Sequence, residues 1–154
     1  MNYEKIGLNV PEILLPKKGT DLRRWAVVAC DQYTSQPEYW ERVEKLVEGC
    51  PSTYDLIIPE AYLEGLDHEK AALTIKEHME NCLNDGTLCP SKPGFILVDR
   101  KTSHAPSRKG LIVALDLEHY DFSADSTSLI RATEGTVIDR LPPRVRIRSQ
   151  APLE

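Results

Sequence analysis

The chain is poor in the residues that usually announce a chemistry. Its 154 residues hold four cysteines, four histidines and eight glycines. Cys30, Cys50, Cys82 and Cys89 contain no C-x-x-C pair, which excludes a zinc ribbon and a thioredoxin-type redox pair. No stretch approaches the ~18 consecutive apolar residues of a membrane span. The opening MNYEKIGLNVPEILLPKK lacks the apolar core of a signal peptide, so the expectation is a cytoplasmic protein with reduced thiols. There is no Walker A motif and no Rossmann fingerprint, which excludes the common nucleotide folds. No internal repeat or low-complexity tract is present. A net charge of −5 argues against a general nucleic-acid binder and against an anionic membrane as partner.

What remains is an ordinary soluble composition, 41% apolar and 28% charged. Its patterning predicts an α/β (or α+β) domain with a mixed sheet. The apolar run Trp25–Cys30 reads as a buried strand, and Thr53–Ile58 as a second, ended by Pro59. Between them a helix is expected over about 36–48, with Ser35 and Glu38 as a capping box and Gly49 as its stop. A second helix is expected over about 68–84, capped by Asp67 and closed by Asp85-Gly86. Its inner stripe would be Ala72, Ile75, Met79, Cys82 and Leu83. His78 and Cys82 are four apart on that helix, with Cys89 beyond. They are a possible metal set, but Cys82 also continues the stripe and no fourth ligand is apparent. Phe95–Val98 and Leu111–Leu115 read as two more strands, joined by a basic loop or flap at 99–110. The chain closes on an Arg-rich helical segment and Gln150-Ala-Pro-Leu-Glu154, with no closing strand. The expectation is one domain over 1–154, the N-terminal part of a longer protein whose C-terminal remainder would be a partner.

Charge is distributed unevenly. Residues 131–148 carry Arg131, Arg140, Arg144, Arg146 and Arg148 against Glu134 and Asp139, whereas the first 130 residues carry 14 bases and 21 acids. None of the bases in the late segment is lysine. Arginine's planar fork suits phosphate and carboxylate, yet a face pairing with the acidic remainder, or a partner-docking surface, would also use it. No aromatic residue interleaves these arginines, unlike a single-stranded nucleic-acid groove. Thr133-Glu134-Gly135-Thr136 reads as a helix start, where free N–H groups receive anions. Val137, Ile138 and Leu141 would be that helix's buried face, with Pro142-Pro143 breaking it or starting a second turn. Glu134 is placed to bind a metal, to act as general base, or simply to cap. Asp31 leaves the first expected strand, where α/β folds place ligands, and serves equally well as a turn residue.

Several of these words together resemble the bacterial domain-of-unknown-function 1015 family, over nearly the whole chain from about Trp25. They are Val28-Ala-Cys-Asp31 with Tyr33, Ser35 to Glu38, Asp55-Leu-Ile-Ile-Pro-Glu60, and Gly110 through Tyr120. The most specific is Arg131-x-Thr133-Glu134-x-Thr136-x-x-Asp139-Arg140. Many members carry Pro-Pro-Tyr-Asp at the first loop, where this chain has Ala29-Cys-Asp-Gln-Tyr33. Many carry His-Glu-x-Thr in the last motif, where this chain has Thr133 in place of the histidine. More distantly, the family is similar to the ParB and free-serine-kinase superfamily. That resemblance implies a nucleotide with Mg2+, Glu134 handling metal or activating a hydroxyl, and Arg140 with the Thr133–Thr136 backbone holding phosphate. Arg131 and Arg144 would be outer phosphate contacts.

Two functional expectations follow. One is a nucleotide- or phosphate-binding enzyme, of the small-molecule kinase type, with Glu134 and Asp31 as its carboxylates and Arg140 as phosphate clamp. The other is a non-enzymatic module whose segment 131–148 docks on an acidic partner or on the rest of a longer chain.

Overall fold

The computed structural model describes residues 4–121, 123–131, 135 and 137–153, with the side chain of Arg140 left aside. Four helices are formed: α1 (Leu22–Trp25), α2 (Pro37–Val47), α3 (His68–Asn84) and α4 (Leu141–Gln150). The strands are β1 (Leu8–Asn9), β2 (Leu14–Pro16), β3 (Leu88–Pro90), β4 (Ile96–Arg100), β5 (Arg108–Ile112), β6 (Ala114–Leu115), β7 (Tyr120–Asp121) and β8 (Ile130–Arg131). The class is mixed α/β, with both antiparallel and parallel pairings. The described strands pair as four two-stranded sheets. The chain divides into two compact units, Met1–Leu14 with Pro90–Thr136, and Leu15–Cys89 with Val137–Glu154.

The first unit is built from strand pairs. β4 and β5 form an antiparallel hairpin with Val98 opposite Gly110 and Arg100 opposite Arg108. The basic 99–110 segment is the tip of this hairpin: 99–100 and 108–110 continue the ladder, and 101–107 form the connecting loop. Lys109 reaches Asp99 at 3.4 Å, and Ser107 Oγ donates to the same carboxylate at 2.6 Å. β1 pairs antiparallel with β6, and β7 runs parallel to β8. Gly7 is required where β1 begins. Its φ is +71°, and a Cβ there would lie 2.7 Å from Ile130 Cδ1 and 3.0 Å from His119 Cβ. No other residue type escapes both constraints.

The second unit holds all the buried apolar side chains found among the described residues: Trp25, Trp40, Val47, Ala72, Ile75, Met79 and Leu88. Trp40 is fully buried, and its indole N–H donates to Gln32 O at 3.3 Å. α3 spans the expected residues. Asp67 caps it by accepting from Lys70 N at 3.1 Å, and Ala72, Ile75 and Met79 face the core. Cys82 is half-buried and Leu83 exposed, so the inner stripe ends a turn early. α2 also matches, with Gly49 at φ +70° after its C-cap. Its start differs from expectation. Gln36, not Ser35, is the N-cap, it makes no side-chain cap bond, and Pro37 sets the first turn.

The two strands expected at 25–30 and 53–58 do not form. α1 runs to Trp25, the chain continues without a ladder, and residues Thr53–Leu56 make a 3₁₀ turn. Hydroxyl groups explain the difference. Thr53 Oγ1 donates to Trp25 O at 2.8 Å and accepts from Val27 N at 3.3 Å. Ser52 Oγ donates to Trp25 O at 3.3 Å and accepts from Tyr54 N at 3.2 Å. Side chains thus occupy backbone groups that a ladder would use.

The C-terminal helical segment is present but shifted. A 3₁₀ turn at Ile138–Arg140 leads into α4, with Pro142 and Pro143 in its first turn. Proline is tolerated there because those N–H groups have no helical partner. Val137, Ile138 and Leu141 are exposed rather than a buried face. Among the described residues no helix is long and apolar enough to cross a membrane.

Candidate functional site

The site lies in the second unit, where α4 packs against α3. Pro143, Arg144, Ile147 and Arg148 recur at helical spacing, so one face of α4 presents all four. That face lines a cleft of about 490 Å³ whose other side comes from residues 29–31 and 56–63. A single backbone bond sets the acidic side of the cleft. Glu60 N donates to Cys30 O at 2.8 Å, which fixes the 30–31 and 59–60 segments side by side. Pro59 ends the preceding extended stretch, and Glu60 opens a 3₁₀ turn.

Asp31 and Glu60 share one cation. Arg144 Nη2 lies 2.7 Å from Glu60 Oε1 and 3.8 Å from Asp31 Oδ2. The Glu60 side chain is only 8% exposed. A carboxylate so enclosed is tolerable because it is paired and hydrogen-bonded. The bond to Glu60 in turn raises the Arg144 pKa. Cys30 lines the same cleft. Burial pushes its thiol pKa up, Arg144 pulls it down, and Glu60 and Asp31 add to the rise. The net effect keeps it a neutral thiol, a wall rather than a nucleophile.

The loop carrying Asp31 is held from both ends. Gln32 N donates to Ala29 O at 3.0 Å, and Gln36 N to Tyr33 O at 3.1 Å. Tyr33 adopts a left-handed backbone, φ +53°, uncommon for a bulky residue. Its ring stacks on Tyr39 with centroids 3.9 Å apart.

Of the site residues expected from sequence, the fold brings Asp31 and Arg144 together. Arg131 and Gly135 belong to the first unit. Arg131 Nε donates to Ser128 O at 2.8 Å, and Gly135 is exposed with open space about its α-carbon. Thr133, Glu134, Thr136 and the Arg140 side chain lie outside the described residues. Arg146 pairs with Glu69 at 3.0 Å, so part of the basic segment answers acids of the same unit. The metal reading of His78, Cys82 and Cys89 is not met. Among the described residues no group of three or more His, Cys, Asp or Glu could hold a metal, and the Cys89 thiol donates to Gly86 O at 3.2 Å.

Sequence reasoning passed over Glu60 as a functional residue. The signal available was its place at the end of the Asp55–Glu60 word, directly after a proline. Its partner stands 84 positions away, and no local pattern links them.

A family model described as a protein of unknown function, DUF1015, matches residues 14–154. No curated protein matches the chain, and neither does any solved structure.

Proposed function

The chain belongs to the DUF1015 family, and within it we propose a phosphate-handling domain that binds a small phosphorylated molecule, with Mg2+, at the mouth of the α4 cleft. The observation that carries this reading is Arg144 held between Glu60 and Asp31 over an apolar cavity. Arg148 lines the same cavity. Two guanidinium groups and two carboxylates make a set with no net charge. A Mg2+-bound phosphate complements it: the arginines take phosphate oxygens and the carboxylates take the ion, which Mg2+ accepts with few protein ligands. The ligand then replaces the internal pairing of Arg144 without leaving a buried charge uncompensated.

In an enzyme of this kind, phosphoryl transfer asks mainly for positioning and charge neutralisation. Asp31 would be the first carboxylate, and Glu134 the general base or metal ligand. Separately from the cleft, the motif would supply phosphate contacts from Arg140 and the Thr133–Thr136 backbone, with Arg131 outside them. These later roles rest on the motif Arg131 to Arg140 and on the distant resemblance to the serine-kinase superfamily proposed from the sequence alone.

The test is a thermal-shift panel with phosphate, pyrophosphate, ADP and ATP, each with and without Mg2+. A ligand at 100 times its Kd adds about 2.7 kcal/mol, several degrees for a domain this size. The shift is expected in wild type with Mg2+ and absent in the double variant Arg144→Ala/Glu60→Gln, which removes the cation without stranding a buried carboxylate. A shift that survives in the double variant, or no shift with any phosphate, overturns the reading.

A further inference from the structure

The phosphate reading leaves open what the rest of the ligand is, and the walls of the cleft address that. Beside its charged residues the cleft is lined by Leu56, Ile57, Ile58, Leu63, Met79 and Ile147. All are aliphatic or thioether side chains. Among the described residues lining the cleft there is no aromatic ring, no hydroxyl and no side-chain amide. A nucleobase would find no ring to stack on and no neutral polar side chain to read its edge. A sugar would bury hydroxyls against hydrocarbon, at a cost for each unpaired group. Methylene groups lose nothing there and gain by leaving water. The neutral Cys30 thiol continues the same apolar lining.

We infer that the cleft takes a water-soluble phosphate monoester with a short aliphatic body, its phosphate at Arg144 and Arg148 and its chain along Ile58, Leu63 and Ile147. This rests on the phosphate reading above and narrows it: the ligand is an alkyl-type phosphate rather than a nucleotide or a sugar phosphate. The volume of about 490 Å³ is within the range of small-molecule pockets.

The experiment is a calorimetric titration of the full chain, with Mg2+, using inorganic phosphate and then methyl, butyl and hexyl phosphate. AMP, leucine and phosphatidic-acid vesicles complete the set. Affinity is expected to rise about three- to fourfold per added methylene until the slot is filled, with AMP binding no tighter than inorganic phosphate. In Ile147→Ser the gain per methylene is expected to shrink. The wild-type series decides the matter even if that variant fails to fold. A flat alkyl series in a chain that binds inorganic phosphate overturns this inference and leaves the phosphate reading standing. So does AMP binding tighter than hexyl phosphate. Capture by vesicles without binding of soluble esters assigns the surface to a lipid and overturns the inference. Binding of leucine in place of every phosphate, or of nothing in the set, overturns both.

Discussion

Glu60 shows how much one carboxylate can organise. Its backbone holds the segment of Cys30, its side chain fixes Arg144, and its enclosure is tolerable because it is paired. Tyr54 is a second residue whose surroundings have a measurable effect. Burial, then the charges of Glu44, Tyr62 and Asp55, push its phenol up to about 12. An unfolded chain titrates its tyrosines near 10. Between those values the folded state keeps a proton that the unfolded state has lost. The stability tied to Tyr54 is therefore complete below pH 10 and is lost as pH rises toward 12. Urea midpoints measured at pH 9, 10 and 11 are expected to fall in wild type and to fall less in Tyr54→Phe. An equal fall in both would assign the alkaline loss to other groups. Asp31 and Arg144 were legible in the sequence, the first as a loop carboxylate and the second as one of a run of arginines. That they meet was not, because the meeting depends on Glu60 and on packing between residues far apart in the chain.

Helices were the legible elements, and for physical reasons. α3 carries its own start in Asp67, its own stop in Gly86 and a periodic apolar face, all readable within twenty residues. α2 likewise ends at Gly49. The segments after Trp25 and Thr53 have strand-like composition, yet Ser52 and Thr53 intercept their backbone groups, a contest that composition does not register. Those hydroxyls therefore matter to stability. Ser52 is 2% exposed and both donates and accepts. Ser52→Ala is expected to cost about 1–3 kcal/mol, read as a lower urea midpoint with an unchanged slope, whereas Ser149→Ala, at an exposed position of α4, is expected to change little. Equal effects at the two positions would show that the Ser52 bridge contributes nothing special. In the C-terminal segment the helix itself was foreseen and its register was not, because Pro142 and Pro143 are compatible with either the end of a helix or its first turn.

At the scale of the whole molecule, apolar burial is unevenly shared. The second unit contains Trp40 and the packed faces of α2 and α3, while Leu97, Leu111 and Ile112 of the β4–β5 hairpin stay exposed. Local stability follows buried contacts. Native-state hydrogen exchange is expected to be slowest in α2 and α3 and at least tenfold faster in β4 and β5. Uniform protection across both units would mean that they unfold as one. The second unit is also discontinuous in sequence, since α4 returns to it after Pro90–Thr136 of the first unit has intervened.

That return has a consequence in time. During synthesis, Asp31 and Glu60 are made long before the arginine that neutralises them, which follows Glu60 by 84 residues. Until α4 has been translated and has docked, the bond from Arg144 to Glu60 is unmade and the cleft lacks one wall. The nascent chain can fold its helices α2 and α3 early, but it cannot close the cleft. The cleft is completed in a step that follows translation of α4, so any binding there waits on the order of the chain's own residues.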